Sequence, residues 1–240
     1  MKMVAQIVKK VLLVRIPRIR RFMNDPAGSQ QKIFRELVAY AKNTEWGKTH
    51  GYCEIQTVTE FQSRVPVSSY EEIFPWIERM MQGERNILWP GRISWFSKSS
   101  GTTNARSKFI PVSKESLHAC HFRGGKDMLA LYVHNVPGTQ IFSGKVVGIT
   151  GSLQDVGSNT SIQSGDISAV ITKNLPRWAE MLRTPRVDVA LMQRWEEKMD
   201  RIIEETSDEN VTSIAGVPTW EMVLLERMME SHKVQSIFDI

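Results

Sequence analysis

The stretch Ser97-Lys98-Ser99-Ser100-Gly101-Thr102-Thr103-Asn104-Ala105-Arg106-Ser107-Lys108 gathers hydroxyls, a glycine and several cations into one short segment. Ile93-Ser94-Trp95-Phe96 precedes it and Phe109-Ile110-Pro111-Val112 follows. Two apolar runs around a polar turn predict a loop that links two strands. Gly101 lets the backbone turn so that consecutive N–H groups face one side. Ser99, Ser100, Thr102 and Thr103 can donate hydroxyl hydrogen bonds, and Lys108 adds a charge at the far end. Such a cradle suits a polyphosphate. It is not a Walker loop, which needs G-x-x-x-x-G-K-[ST] leading into a helix. Ser, Thr, Gly and Asn are also ordinary turn formers, so composition leaves two readings open, a surface hairpin and a phosphate site.

Further motifs surround the loop. They are Phe61-Gln62-Ser63-Arg64-Val65-Pro66-Val67-Ser68-Ser69-Tyr70, Pro75-Trp76-Ile77, Gly83-Glu84 and Leu88-Trp89-Pro90-Gly91. In this order, and with Ser-Ser-Gly-Thr-Thr followed by a lysine and Ile-Pro-Val, the chain resembles the auxin-responsive acyl-acid amido synthetases. That family belongs to the adenylate-forming superfamily, which also holds acyl-CoA synthetases and luciferases. The resemblance runs from Gln31 to the end, with Asn104-Ala105 where many members carry a glycine.

The resemblance implies an α/β fold, the amino-terminal portion of the large adenylate-forming domain, with mixed sheets flanked by helices. It divides the chain into a basic helical segment, 1–28, and an incomplete adenylation domain, 29–240. It implies a ligase that uses ATP and Mg²⁺ to activate a carboxylic acid as an acyl adenylate, then joins it to an amino acid. Ser99, Ser100, Gly101, Thr102, Thr103 and Lys108 are the expected phosphate-binding residues. Arg123, Gly124, Thr219 and Trp220 are candidates for the acyl pocket. No catalytic residue is assigned. Family members are longer, and their second nucleotide motif would lie beyond Ile240, so a fragment with little or no activity of its own is expected. An acyl-CoA ligase using the same loop and a non-catalytic interaction module remain as alternatives.

Composition sets wide bounds. The 240 residues are 41% apolar and 24% charged, as in ordinary globular proteins, with a formal charge of +5. Lys2, Lys9, Lys10, Arg15, Arg18, Arg20 and Arg21 crowd the amino terminus, yet no nucleic-acid reading module accompanies them. Cys53 and Cys120 stand far apart and read as reduced thiols of a cytoplasmic protein. His118, Cys120 and His121 lack a second ligand pair, so no metal site is expected. No apolar run is long enough to cross a bilayer.

Residues 4 to 22 read as a basic amphipathic helix bent near Pro17, with Val4, Ile7, Val8, Val11 and Leu12 on one face. Packing on its own domain and contact with a membrane surface are both open to it. Ser29 is expected to cap a helix with an inward stripe of Ile33, Phe34, Leu37, Val38 and Ala41. Ser69 with Glu72 forms a capping box, while Pro75 suggests that the regular helix starts there. Ser113 can cap a long helix that contains Gly124-Gly125, where close packing, a helix break or room for an acyl group would each explain the glycines. Thr139 to Ile149 reads as a strand and 151 to 165 as a loop. Val187, Leu191, Trp195 and Ile202 predict one face of a longer helix, with Glu196, Glu197, Lys198 and Asp200 outside. Val211 to Ala215 reads as a strand ending in Gly216-Val217-Pro218-Thr219-Trp220. Such strand-to-helix turns are where open α/β folds place ligands. There Thr219 could equally cap the helix and Trp220 could be core.

Overall fold

A computed structural model describes residues 2–99, 107–157 and 159–239. Helices α1 (Lys2–Leu13), α2 (Ile16–Asn24), α3 (Pro26–Ala41), α4 (Glu45–Thr49), α5 (Val58–Arg64) and α6 (Tyr70–Met81) lead into strands β1 (Trp95–Lys98) and β2 (Phe109–Val112). Then come α7 (Lys114–Ser116), a π-helical turn over Leu117–Phe122, α8 (Arg123–Asn135), β3 (Lys145–Gly148), β4 (Leu153–Val156) and β5 (Asn159–Gly165). The chain closes with α9 (Ile167–Lys173), α10 (Arg177–Glu180), β6 (Arg183–Thr184), α11 (Val187–Ala190), α12 (Trp195–Thr206), β7 (Val211–Ala215) and α13 (Pro218–His232).

These elements form two compact units. The hairpin unit holds Arg15–Asp127 and Asp155–Ser164, and the parallel-sheet unit holds Met1–Val14, Met128–Gln154 and Gly165–Ile240. Both are α/β in character, as expected.

In the hairpin unit the sheet order is β2-β1-β5-β4, with β1 and β2 antiparallel and Phe96 opposite Pro111. Phe96 and Ile162 are fully buried among Ile77, Met80, Ile87 and Ile93. Helix α6 supplies Ile77 and Met80 to this core. The helix begins at Tyr70 and not at Pro75, because Ser69 and Glu72 close a complete capping box that satisfies its first donors. Pro75 is tolerated inside. The start of α3 is also corrected: Asp25, not Ser29, is the cap, its carboxylate accepting from the Gly28 N–H at 2.9 Å, with Pro26 opening the helix. Of the stripe expected on α3, Val38 and Ala41 are buried while Ile33 and Leu37 stay exposed.

Residues 151–165, expected as a loop, contain β4 and β5. A ladder is held by backbone bonds and needs only alternate apolar anchors, here Ile162, while Gln163 N–H donates to the Ser94 carbonyl at 2.9 Å.

In the parallel-sheet unit β3 lies between β6 and β7, parallel to both, with Val147 opposite Thr184 on one side and Ile214 on the other. The strand expected over 139–149 is confined to Lys145–Gly148. Val147, Ile149, Met199, Ile202 and Leu224 form the core. The single helix expected from 187 onward is two, α11 and α12, and Lys198 is not on the exterior but 2% exposed. Lys198 lies three residues after Trp195 and four before Ile202, so helical spacing turns it inward with them.

Candidate functional site

The β1–β2 hairpin carries the hydroxyl-rich stretch. Ser100, Gly101, Thr102 and Thr103 lie outside the described residues, whereas Ser99 and Lys108 are seen at the mouth. Ser99 N–H donates to the Lys108 carbonyl at 3.0 Å, and Lys108 N–H donates to Ser99 Oγ at 3.1 Å. These two bonds extend the ladder one pair past Lys98 and Phe109, so the stems are held at the point where the loop leaves them.

A second element braces the mouth. Tyr70, the first residue of α6, places its hydroxyl against β2, where it accepts from the Phe109 N–H at 2.7 Å. Because β2 is at the sheet edge, that N–H would otherwise lack a strand partner. Lys108 Nζ lies 5.0 Å from the Tyr70 ring centroid and 3.9 Å from Glu71 Oε1. Lys98 Nζ lies 5.7 Å from the Phe109 ring centroid. Two ammonium groups therefore flank the mouth, one from each stem. The Lys108–Glu71 pair is exposed and worth less than about 1 kcal/mol, so Lys108 can leave it for a stronger anion at small cost. Tyr70 and Glu71 were not singled out in the sequence. The capping box that sets Tyr70 at the helix start is the signal that could have found them.

Arg123 opens α8 where the π-helical turn ends, and its carbonyl accepts from Arg15 Nη2 at 3.5 Å. A π turn is a local irregularity that often accompanies a site. Gly124 and Gly125 continue the helix without a break, and a methyl group at either would meet nothing within 4 Å. Close packing is thus excluded as the reason for these glycines, and open space remains.

In the parallel-sheet unit, Thr219 and Trp220 lie in the first turn of α13. Val217 occupies the cap position without a side-chain bond and Pro218 opens the helix, so Thr219 is exposed and caps nothing. Trp220 packs edge-on against Trp195, ring centroids 5.4 Å apart, beside the core. At Gly216 a Cβ would sit 3.0 Å from Glu221 Oε1 and 3.1 Å from the Ile149 carbonyl oxygen, so a side chain there would have to push its neighbours back by a few tenths of an ångström. The turn after β3 is gripped from below. Lys198 Nζ donates to the carbonyls of Thr150 and of Gly151, the latter at 3.2 Å. Burial pulls the Lys198 ammonium down to about 8, a shift that Asp166 opposes and Arg183 reinforces.

A groove of about 820 Å³ beside α12 and α13 is lined by Asp200, Glu204, Arg227 and Glu230. Arg227 is already paired with Glu196 and Asp200, and none of the residues chosen from the sequence lines it. Among the described residues, no three His, Cys, Asp or Glu side chains are grouped to hold a metal, and no helix is long and apolar enough to cross a membrane.

Residues 15–238 match the family model described as the GH3 family N-terminal domain. The chain belongs to the GH3 family. It is 34% identical over 89 residues to a probable indole-3-acetic acid-amido synthetase, GH3.1, of Arabidopsis thaliana, covering 37% of this chain and 15% of that protein. It is 30% identical over 121 residues to the indole-3-acetic acid-amido synthetase GH3.4 of Arabidopsis thaliana, covering 50% of this chain and 20% of that protein. The fold matches a solved GH3.15 acyl acid amido synthetase with a TM-score of 0.72 at 16% identity, over 92% of this chain and 39% of that one. The GH3 chain described here thus spans a minor part of the relatives it matches.

Proposed function

We propose that this chain supplies the triphosphate grip of an acyl-acid amido synthetase. The observation that carries the reading is the braced hairpin mouth, with Ser99 and Lys108 locked together and the Lys98 and Lys108 ammonium groups on either stem. In the proposed reaction a carboxylate oxygen attacks the α-phosphorus of ATP and pyrophosphate leaves. The amine of an amino acid then attacks the acyl carbon, AMP departs, and an amide results. Adenylation is needed because a free carboxylate has no good leaving group.

The residues present fit an anionic ligand. Hydroxyls from Ser99, Ser100, Thr102 and Thr103, the backbone at Gly101 and the Lys108 ammonium would hold the phosphates and offset the charge that grows on pyrophosphate. Mg²⁺ bound to the triphosphate would supply further charge neutralisation. Arg123 and Gly124 are proposed as acyl contacts, and Thr219 and Trp220 are a separate proposal for the same role. The names of the relatives favour an amine over coenzyme A as the second acceptor. We place the protein in the cytoplasm, in keeping with free, exposed Cys53 and Cys120.

We read residues 29–240 as an incomplete adenylation domain, a reading supported by the match of this chain to 39% of the solved neighbour's chain. Acid-dependent exchange of labelled pyrophosphate into ATP tests this. The 240 residues alone should exchange little. The same residues within a chain of full family length should exchange readily, and Lys108→Gln should lower that rate at least tenfold. Robust exchange by the 240 residues alone would overturn the incompleteness. Unchanged exchange in Lys108→Gln would overturn the role of the lysine.

A further inference from the structure

Helix α1 carries two apolar seams. Ala5 and Leu12, 8% and 7% exposed, form a buried seam with half-buried Val8 beside them. A second seam faces solvent: Met3, Val4, Ile7, Val11 and, just past the helix, Val14 are 73, 48, 54, 64 and 78% exposed. Their spacing of three and four residues puts them on one line along the helix. The stripe that the sequence suggested is therefore split, with Val4, Ile7 and Val11 outside and Leu12 inside. Lys9 fixes this orientation, since its ammonium donates to the carbonyls of Pro137, at 3.3 Å, and of Thr139.

We propose that this outward seam of α1 docks on an anionic lipid bilayer. Charge argues for that occupant. No Asp or Glu occurs before Asp25, while three lysines and four arginines do. Arg15 is paired with Asp127, but Lys10, Arg18 and Arg21 have no carboxylate partner among the described residues. A second copy of this chain is a poor occupant, because pairing two such helices would bring like charges together with nothing to offset them. The seam itself holds only methionine and aliphatic side chains, with no polar group along it to fix a protein partner in register. A bilayer requires no register. It accepts an amphipathic helix lying in its interface, draws it in by anionic headgroups, and buries the apolar side. Directly after α1 in sequence, α2 repeats the composition, with Phe22 and Met23 exposed next to Arg21. The inference does not depend on the nucleotide reading.

Co-sedimentation with vesicles tests it, using phosphatidylglycerol mixed into phosphatidylcholine against phosphatidylcholine alone. The wild-type chain should bind the anionic vesicles at least tenfold more tightly, and added salt should weaken the binding. Ile7→Asp with Val11→Asp changes two solvent-facing positions, so the fold, checked by its thermal midpoint, should persist while binding falls at least tenfold. Lys10→Gln with Arg18→Gln and Arg21→Gln should do the same. Equal binding to both vesicle types, no binding to either, or full binding by the aspartate variant would overturn the proposal. A concentration-dependent dimer that the aspartates abolish, without vesicle binding, would overturn it in favour of self-association.

Discussion

Lys198 donates from inside the parallel-sheet unit to the carbonyl oxygen of Thr150, and so ties α12 to the turn that follows β3. A lysine there is a buried cation held by two carbonyls, and burial lowers its pKa from 10.5 to about 8. The unfolded chain therefore holds this proton more tightly than the folded one. The side chain lowers stability in full below about pH 8, and the penalty fades as pH rises from about 8 to 10.5. The full change amounts to roughly 3 kcal/mol. Urea midpoints measured at pH 7 and 9.5 should rise for the wild-type chain relative to Lys198→Met. Parallel pH curves for the two would show that Lys198 titrates as an ordinary lysine.

Tyr70 and Phe109 are far apart in sequence and joined through one hydroxyl, which accepts from the Phe109 N–H and donates to the Phe109 carbonyl at 3.4 Å. Tyr70→Phe keeps the ring and its contact with Lys108 but leaves the Phe109 N–H without its partner. A loss of about 1–2 kcal/mol is expected, with faster amide exchange at Phe109. Unchanged exchange at that amide would show that the hydroxyl does not brace the hairpin.

Two glycines should respond with opposite signs. Gly124 sits in a helix with open space beside it, so Gly124→Ala should stabilise by about 0.5–1 kcal/mol. Gly216 faces the Ile149 carbonyl and the Glu221 carboxylate at close range, so Gly216→Ala should destabilise by about 1 kcal/mol or more. Thermal midpoints of the two variants decide this. If the space at Gly124 receives the acid, the stabilised variant will also bind it more weakly.

What could be read from the sequence was what local chemistry controls. The hairpin followed from apolar runs on either side of a polar turn, and the Ser69–Glu72 capping box of α6 was legible, although Pro75 drew the expected helix start away from it. The β7-to-α13 turn followed from Gly216 and Pro218. What escaped was what distant neighbours decide. The seam of α1 is ambiguous because eight of its 12 residues are apolar, and only tertiary contacts choose which part is buried. Strands β4 and β5 are polar because their backbone bonds, not their side chains, hold most of the ladder. Lys198 was read as exterior from its charge, although its spacing from Trp195 and Ile202 placed it inward. The capping box placed Tyr70 at a helix start, but its bond to Phe109 and the Lys198 carbonyl contacts leave no local signal, since each joins residues distant in the chain.

The grip of the hairpin on a triphosphate is tested most directly by an amide NMR titration with Mg·ATP, run on the wild-type chain and on Thr102→Val with Thr103→Val. The prediction is that amides from Ser97 to Phe109 shift on titration, and that the double variant binds at least tenfold more weakly, about 1.4 kcal/mol. Shifts that avoid the hairpin, or equal affinity in the double variant, would contradict it.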